Sequence, residues 1–204
     1  MSKRIKKAVI DKMEATYGGR FQIVNFFEIG GAAANYVAEL TGDSCNNKTV
    51  AASFSKMLFG STLQNMKDNY IQCMRSLEIM NGFDTLVQPL LSEEYKLLFS
   101  SGSEQSTGSY SFSTPIETIL AEFDQYDEFF IVSKASLSVV VVESLMQELE
   151  KSGYEFTVHI SGLVNQALFE DITEDYFEHN DPPDTGKQFY SLYFDEGRYV
   201  LAES

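Results

Sequence analysis

The sequence predicts a soluble α+β protein in which an N-terminal helix packs on an antiparallel sheet and an acidic α/β-type half comes after it, ending in a β-hairpin. Three observations carry that prediction. Residues 2–17 place Ile5, Ala8, Val9 and Met13 at helical spacing and stop at Gly18-Gly19. From Phe21 the chain turns to branched and aromatic residues in short runs, the composition of strands. Beyond residue 115, short helical patterns alternate with strand patterns until a final turn at Asp195-Glu196-Gly197. At 204 residues and 44% hydrophobic, the chain can bury roughly 70% of its unfolded surface, so the core needs neither disulfide nor metal.

The elements run in order. The helix over 2–17 leads to a strand over 21–29, a turn around Gly30-Gly31, a returning strand over 36–40, and a third strand over 49–54 after a polar loop at 42–48. Ser61 is placed to cap a helix whose stripe is Leu63, Met66, Tyr70, Cys73, Met74 and Leu77, ending near Asn81-Gly82. A short strand over 95–99 comes next. Residues 100–114 are dominated by Ser, Gly and Thr and read as a linker or hairpin loop between a region over 1–99 and one over 115–204, unless the two are continuous. In the second region, Ile116, Ile119, Leu120 and Phe123 make a short helix before a buried strand over 129–133. A helix over 139–151, stopped by Gly153, and a strand over 154–160 complete a β-α-β unit. An acidic helix over 167–178, a Pro182-Pro183 loop and a hairpin over 189–201 close the chain.

Charge narrows the function classes. Residues 1–91 hold 10 Lys+Arg against 8 Asp+Glu, a net of +2, whereas residues 92–204 hold 5 against 22, a net of −17. A field of that sign repels nucleic-acid phosphates and anionic lipid and attracts basic proteins or cations. The bland account of the same acids is solubility. No apolar run approaches a membrane span; the four valines at 139–142 are closed by Ser138 and Glu143. Met1-Ser2-Lys3-Arg4-Ile5-Lys6-Lys7 is basic with no apolar segment behind it, so it is not a signal peptide, although a removed membrane anchor would also leave a basic stretch of this kind at the start. That leaves two compartments open, extracytoplasmic and tethered or cytoplasmic. Cys45 and Cys73 lack the density of a disulfide framework or zinc site, and Cys73 reads as a buried small hydrophobe.

Catalytic signals are sparse. His159 and His179 are the two imidazoles, and no Gly-x-Ser-x-Gly elbow or phosphate-cradling glycine loop accompanies them. His159 falls on the polar side of its strand with Glu155 and Thr157 and is expected to be structural, with no nucleophile in reach. The densest polar constellation is Asp171, Glu174, Asp175, Glu178, Asp181 and Asp184, interleaved with Glu170 and His179. Asp171, Asp175 and His179 are four apart, so on one helix they would share a face fit for a divalent metal, or equally form a solvated acidic face. Tyr110, Phe112, Tyr126 and Tyr190 lie among acids, which suits a protein-binding surface as well as core packing.

The helix ending in Tyr17-Gly18-Gly19 with Phe21, the three strands, and Asp68-Asn69-Tyr70 in the next helix resemble uncharacterised cystatin-like lipoproteins of Gram-positive bacteria over about the first 80 residues. The resemblance implies an extracytoplasmic, membrane-tethered protein and carries over no catalytic residue. The resulting expectation is a non-catalytic acidic module, without cofactor, that docks a basic protein through Asp171, Glu174, Asp175, Glu178, Asp181 and Asp184, in the manner of inhibitory or immunity-type proteins. The alternatives are a metal-dependent enzyme built on Asp171, Asp175 and His179, and a structural cell-surface protein.

Overall fold

The computed structural model describes residues 3–29, 35–42, 50–56, 63–100, 110–162, 164–172 and 188–203. They form two compact units, one built from residues 1–74 and 103–111, the other from 75–102 and 112–204.

The first unit begins with α1 (Lys3–Tyr17), whose Ile5, Val9 and Met13 are buried at the expected four-residue spacing. That stripe lies against an antiparallel sheet in the order β1 (Phe21–Ile29), β2 (Asn35–Gly42), β3 (Val50–Lys56) and β4 (Leu63–Asp68). Phe21, Ala38, Leu40, Val50, Ala52 and Phe54 fill the inner side, each buried. Burying one such large side chain is worth about 1.5–3 kcal/mol, which is why the 3.6-residue period of α1 faces the 2-residue period of the sheet. A bulge between Ile23 and Asn25 leaves Val24 outside the ladder and exposed.

The long helix expected over 61–82 is corrected. Leu63–Asp68 instead pairs with β3 as an edge strand, and two helices come after it, α2 (Tyr70–Met74) and α3 (Ser76–Val87). The apolar stripe misled because Leu63 and Met66 belong to the sheet, while Leu77 is 50% exposed and Ile79, Met80, Phe83 and Val87 face the core. Gly82 sits inside α3 rather than ending it. A Cβ there would come within 2.5 Å of Ile116 Cγ2, so the glycine admits the neighbouring helix α4 (Ile116–Ala121).

The second unit holds a five-stranded sheet in sequence order: β5 (Tyr95–Ser100), β6 (Glu128–Ser133), β7 (Thr157–Gly162), β8 (Gln188–Asp195) and β9 (Arg198–Glu203). Only β6 and β7 run parallel, joined by α5 (Val139–Ser152), the predicted β-α-β unit. Ser138 caps α5 by accepting from the Val141 N–H, and Gly153 ends it at φ 71°. Tertiary packing overrides the weak helix preference of the valines: Val142, Leu145 and Leu149 are buried. One sheet face carries Phe129, which with Phe156 meets Phe83 of α3 in an aromatic cluster. Leu98, Phe130 and Val132 on the other face pack with Phe169 of α6 (Gln166–Asp171), Val164 and Ile172. Because β5 pairs with β6, the strand expected to close the first region belongs to the second sheet, and the chain passes between the units at residues 74 and 75 as well as within 100–114. Glu196 and Gly197, at φ 47° and 86°, make the tight turn of the closing hairpin. Among the described residues, no helix is long and apolar enough to cross a membrane.

Candidate functional site

Of the acidic residues singled out in the sequence, Asp171 is described, exposed at the last position of α6. Glu174, Asp175, Glu178, His179, Asp181 and Asp184 lie outside the described residues, as do Cys45 and the turn at Gly30-Gly31. The helix expected over 167–178 stops at Asp171. Ile172 is extended at ψ 115°, and its carbonyl accepts from Lys96 Nζ at 2.7 Å. Lys96 and Lys134 flank the Phe169 ring at 4.9 and 4.7 Å, and Lys134 also pairs with Glu94 at 2.7 Å, which holds α6 on the sheet. Among the described residues no group of three or more His, Cys, Asp or Glu is placed to hold a metal ion.

His159 sits on the polar side of β7 as expected, but a serine is in reach. Its Nδ1 is 2.9 Å from Ser191 Oγ on β8, and its Nε2 is 3.4 Å from Glu128 Oε1 on β6. Three neighbouring strands thus line up Ser, His and Glu, the composition of a hydrolase triad. Chemistry argues for a structural role. Ser191 pairs with His159 on one side and Ala202 on the other, so the backbone N–H groups around it serve the sheet ladder and none is left to stabilise an oxyanion. The imidazole is stacked with Phe130 and Phe189 at centroid distances of 4.8 and 5.9 Å. It acts as a flat packing piece with both nitrogens near partners.

At the carboxyl ends of β6 and β7 the chain leaves toward opposite faces of the sheet, to α5 and to α6, the place where open α/β sheets usually bind ligands. Here the protein's own Gln188 occupies part of it, beside a cavity of about 230 Å³ lined by Ser92, Glu93, Ser133, Ser136 and Ser138. Gln188 Oε1 accepts from the Leu137 N–H at 2.9 Å and from Ser136 Oγ at 3.2 Å. A Cβ on Gly162 would stand 2.8 Å from that oxygen, so glycine is what lets the carboxamide in.

The opposite end of the second unit gathers acids from distant parts of the sequence. Glu128 begins β6, Glu155 precedes β7, Glu117 lies on α4, Glu148 and Glu150 are in the last turns of α5, and Asp195 and Glu196 form the hairpin tip. Their fields are felt locally. The Tyr154 hydroxyl is pushed up from its ordinary value by burial and then by Glu117, and Tyr199 by burial and then by Glu155. The Tyr199 N–H donates to Glu150 at 3.3 Å. The negative end of α5 points the same way. Lys151 is paired with Glu148 at 2.7 Å. Exposed Tyr126 and Tyr193, at 47% and 38%, stand in the same unit, and Tyr126 donates its N–H to Asp124 Oδ1. Tyr110 and Tyr190 are buried, whereas Phe112 is exposed. Counted over whole units, the first holds 9 Lys+Arg against 7 Asp+Glu, net +2, and the second 6 against 23, net −17. The linear sequence hid this pole because its residues are spread over 79 positions, from Glu117 to Glu196. The signal that could have found it is that acids stand where elements begin or turn at one end of a parallel pair.

A second node joins residues that the sequence had marked in the first unit. Tyr17 Oη, at the end of α1, donates to Asp68 Oδ1 at 2.8 Å, and the Tyr70 N–H donates to the same oxygen at 3.1 Å. The rings of Tyr17, Phe21 and Tyr70 pack at centroid distances of 4.5 to 6.4 Å. Burial raises the Asp68 carboxyl above its ordinary value even though both hydrogen bonds lower it, and burial followed by Asp68 raises Tyr17. The node clamps helix to sheet.

No protein-family model matches the chain, and none of the curated proteins matches it. Among solved structures, the chain is similar to the crystal structure of a DUF5037 family protein from Ruminococcus gnavus ATCC 29149 at 2.55 Å resolution, with 11% sequence identity over 96% of this chain and 94% of that chain and a TM-score of 0.41.

Proposed function

We propose that the protein is a non-catalytic binding module that captures a basic protein partner on its acidic second unit, as inhibitory and immunity-type proteins do. The observation that supports this reading is the segregation of charge: a net of −17 on one unit against +2 on the other. Within the acidic unit, Glu117, Glu128, Glu155 and the hairpin acids collect at one end with the carboxyl end of α5. Such a surface steers a cationic partner and speeds encounter more than it tightens the final complex. Tyr126 and Tyr193 supply exposed rings of the kind that anchor protein contacts.

The test is capture of partners on the immobilised full chain, then kinetics with the identified protein. A variant combining Glu117→Gln, Glu148→Gln, Glu155→Gln and Asp195→Asn is expected to slow association about tenfold at low salt while the dissociation rate changes little. An unchanged on-rate in that variant, or a captured partner with an acidic surface, refutes the proposal.

A further inference from the structure

The exposed cations of α1 break a rule of helix electrostatics, whereas Arg75, the cation at the start of α3, is paired with Glu78 at 2.7 Å. Lys3, Arg4, Lys6 and Lys7 occupy the first five positions of the helix, and no acidic residue stands in its first turn. Positive side chains are unfavourable at that end, where the helix dipole is itself positive. Relief within the helix is slight: Lys7 Nζ pairs with Asp11 at 2.6 Å, and Lys6 lies 5.8 Å from the Phe26 ring. Ile5, Val9 and Met13 fix this helix on the sheet, so all four cations face outward, exposed, on a firmly held scaffold. A local conflict without compensation inside the fold marks a surface built for something outside it.

We propose that the outer side of α1 docks the protein on an anionic phospholipid bilayer surface through Lys3, Arg4, Lys6 and Lys7. Charge complementarity names the occupant, and composition selects lipid over protein. Three of the four are lysines, which protein interfaces disfavour and which bind a fluid layer of headgroups as point charges. Duplex DNA fits less well, since binding there draws on some 6–10 phosphate contacts and the start of α1 offers four cations. Each cation near an anionic leaflet raises partitioning roughly fivefold. With Lys7 partly neutralised by Asp11, the gain is on the order of a hundredfold.

The experiment is flotation of the full chain with vesicles of phosphatidylcholine alone and of phosphatidylcholine with phosphatidylserine, at roughly 0.1 M salt. Binding on the order of a hundredfold stronger to the anionic vesicles is expected. It should vanish in the variant combining Lys3→Gln, Arg4→Gln, Lys6→Gln and Lys7→Gln, whose thermal unfolding should be unchanged or raised because the dipole conflict is gone. Equal binding to both vesicles, or anionic binding that survives in the variant, overturns the proposal. So does retention of the protein on duplex DNA, lost in the same variant, while anionic vesicles fail to bind.

Discussion

Removing the Tyr17 hydroxyl tests whether the clamp between α1 and β4 holds the first unit together. In Tyr17→Phe the ring contacts with Phe21 and Tyr70 survive, but Asp68 loses its 2.8 Å donor and keeps only the Tyr70 N–H. A hydrogen bond to a charged acceptor contributes about 1.5–3 kcal/mol, so at neutral pH the variant should lose about 2 kcal/mol. Asp68→Asn keeps an acceptor for both donors and removes a charge that burial disfavours. The Asp68 carboxyl is raised in the folded protein, which therefore holds its proton more tightly than the unfolded chain. Its contribution is present below the ordinary value of 3.8 and is lost as pH climbs through the raised folded value. Asp68→Asn should accordingly gain on the parent protein as pH rises above about 4 and reach a plateau once the carboxyl is ionised. Urea unfolding monitored by circular dichroism and tyrosine emission reads this directly, since the chain has no Trp. The double variant completes a cycle whose coupling should be about 1–2 kcal/mol. A Tyr17→Phe cost under about 0.5 kcal/mol, or a coupling near zero, would show that ring packing alone holds the helix end.

Gly82→Ala should lower thermal stability even though alanine is the better helix former by about 1 kcal/mol, because its Cβ meets the stiff, branched Ile116 side chain at 2.5 Å. A differential scan with an unchanged or higher Tm would mean that α3 and α4 slide apart at little cost. Tyr17, Tyr95 and Tyr199 are all raised above their ordinary value of 10. Stability should thus be lost from about pH 10 upward, where the unfolded chain ionises and the folded one holds its protons, and an alkaline titration of ellipticity checks it. Ser191 should resist fluorophosphonate labelling, and Ser191→Ala should leave the fold intact; mass-spectrometric detection of a Ser191 adduct would reopen the hydrolase reading. Replacing Asp171, Glu174, Asp175 and Glu178 together with Asn should leave folding within about 1 kcal/mol of the parent. If those residues add to steering, association with the basic partner should also become less sensitive to salt above roughly 0.15 M.

What was legible in the sequence was what repeats along it. The buried spacing of Ile5, Val9 and Met13, the β-α-β unit around α5 with its Ser138 and Gly153 ends, and the closing hairpin all announce themselves within a dozen residues. Residues 63–68 were misread because an edge strand with one half-buried side has too few apolar positions to set a period, and the helix after it lent it a false one. Gly82 looked like a stop because a local reading cannot see Ile116 arriving from the next element. The polar row of Glu128, His159 and Ser191 is a product of strand register and was invisible for the same reason. Net charge, by contrast, could be counted at once, but its concentration at one end of the second sheet needed the direction of β6 and β7.

The chain path gives the two units a common fate. Residues 75–102 join the second unit before residues 103–111 return to the first, and the chain then leaves again. No single cut separates them. A ribosome releasing this chain delivers β5 well before β6, its one partner in the sheet, so that strand must wait with an open edge while the first unit still lacks its last segment. Shuffling either unit into another gene would leave a fragment of its neighbour behind, so the pair travels as one hereditary block, acidic and near-neutral parts together.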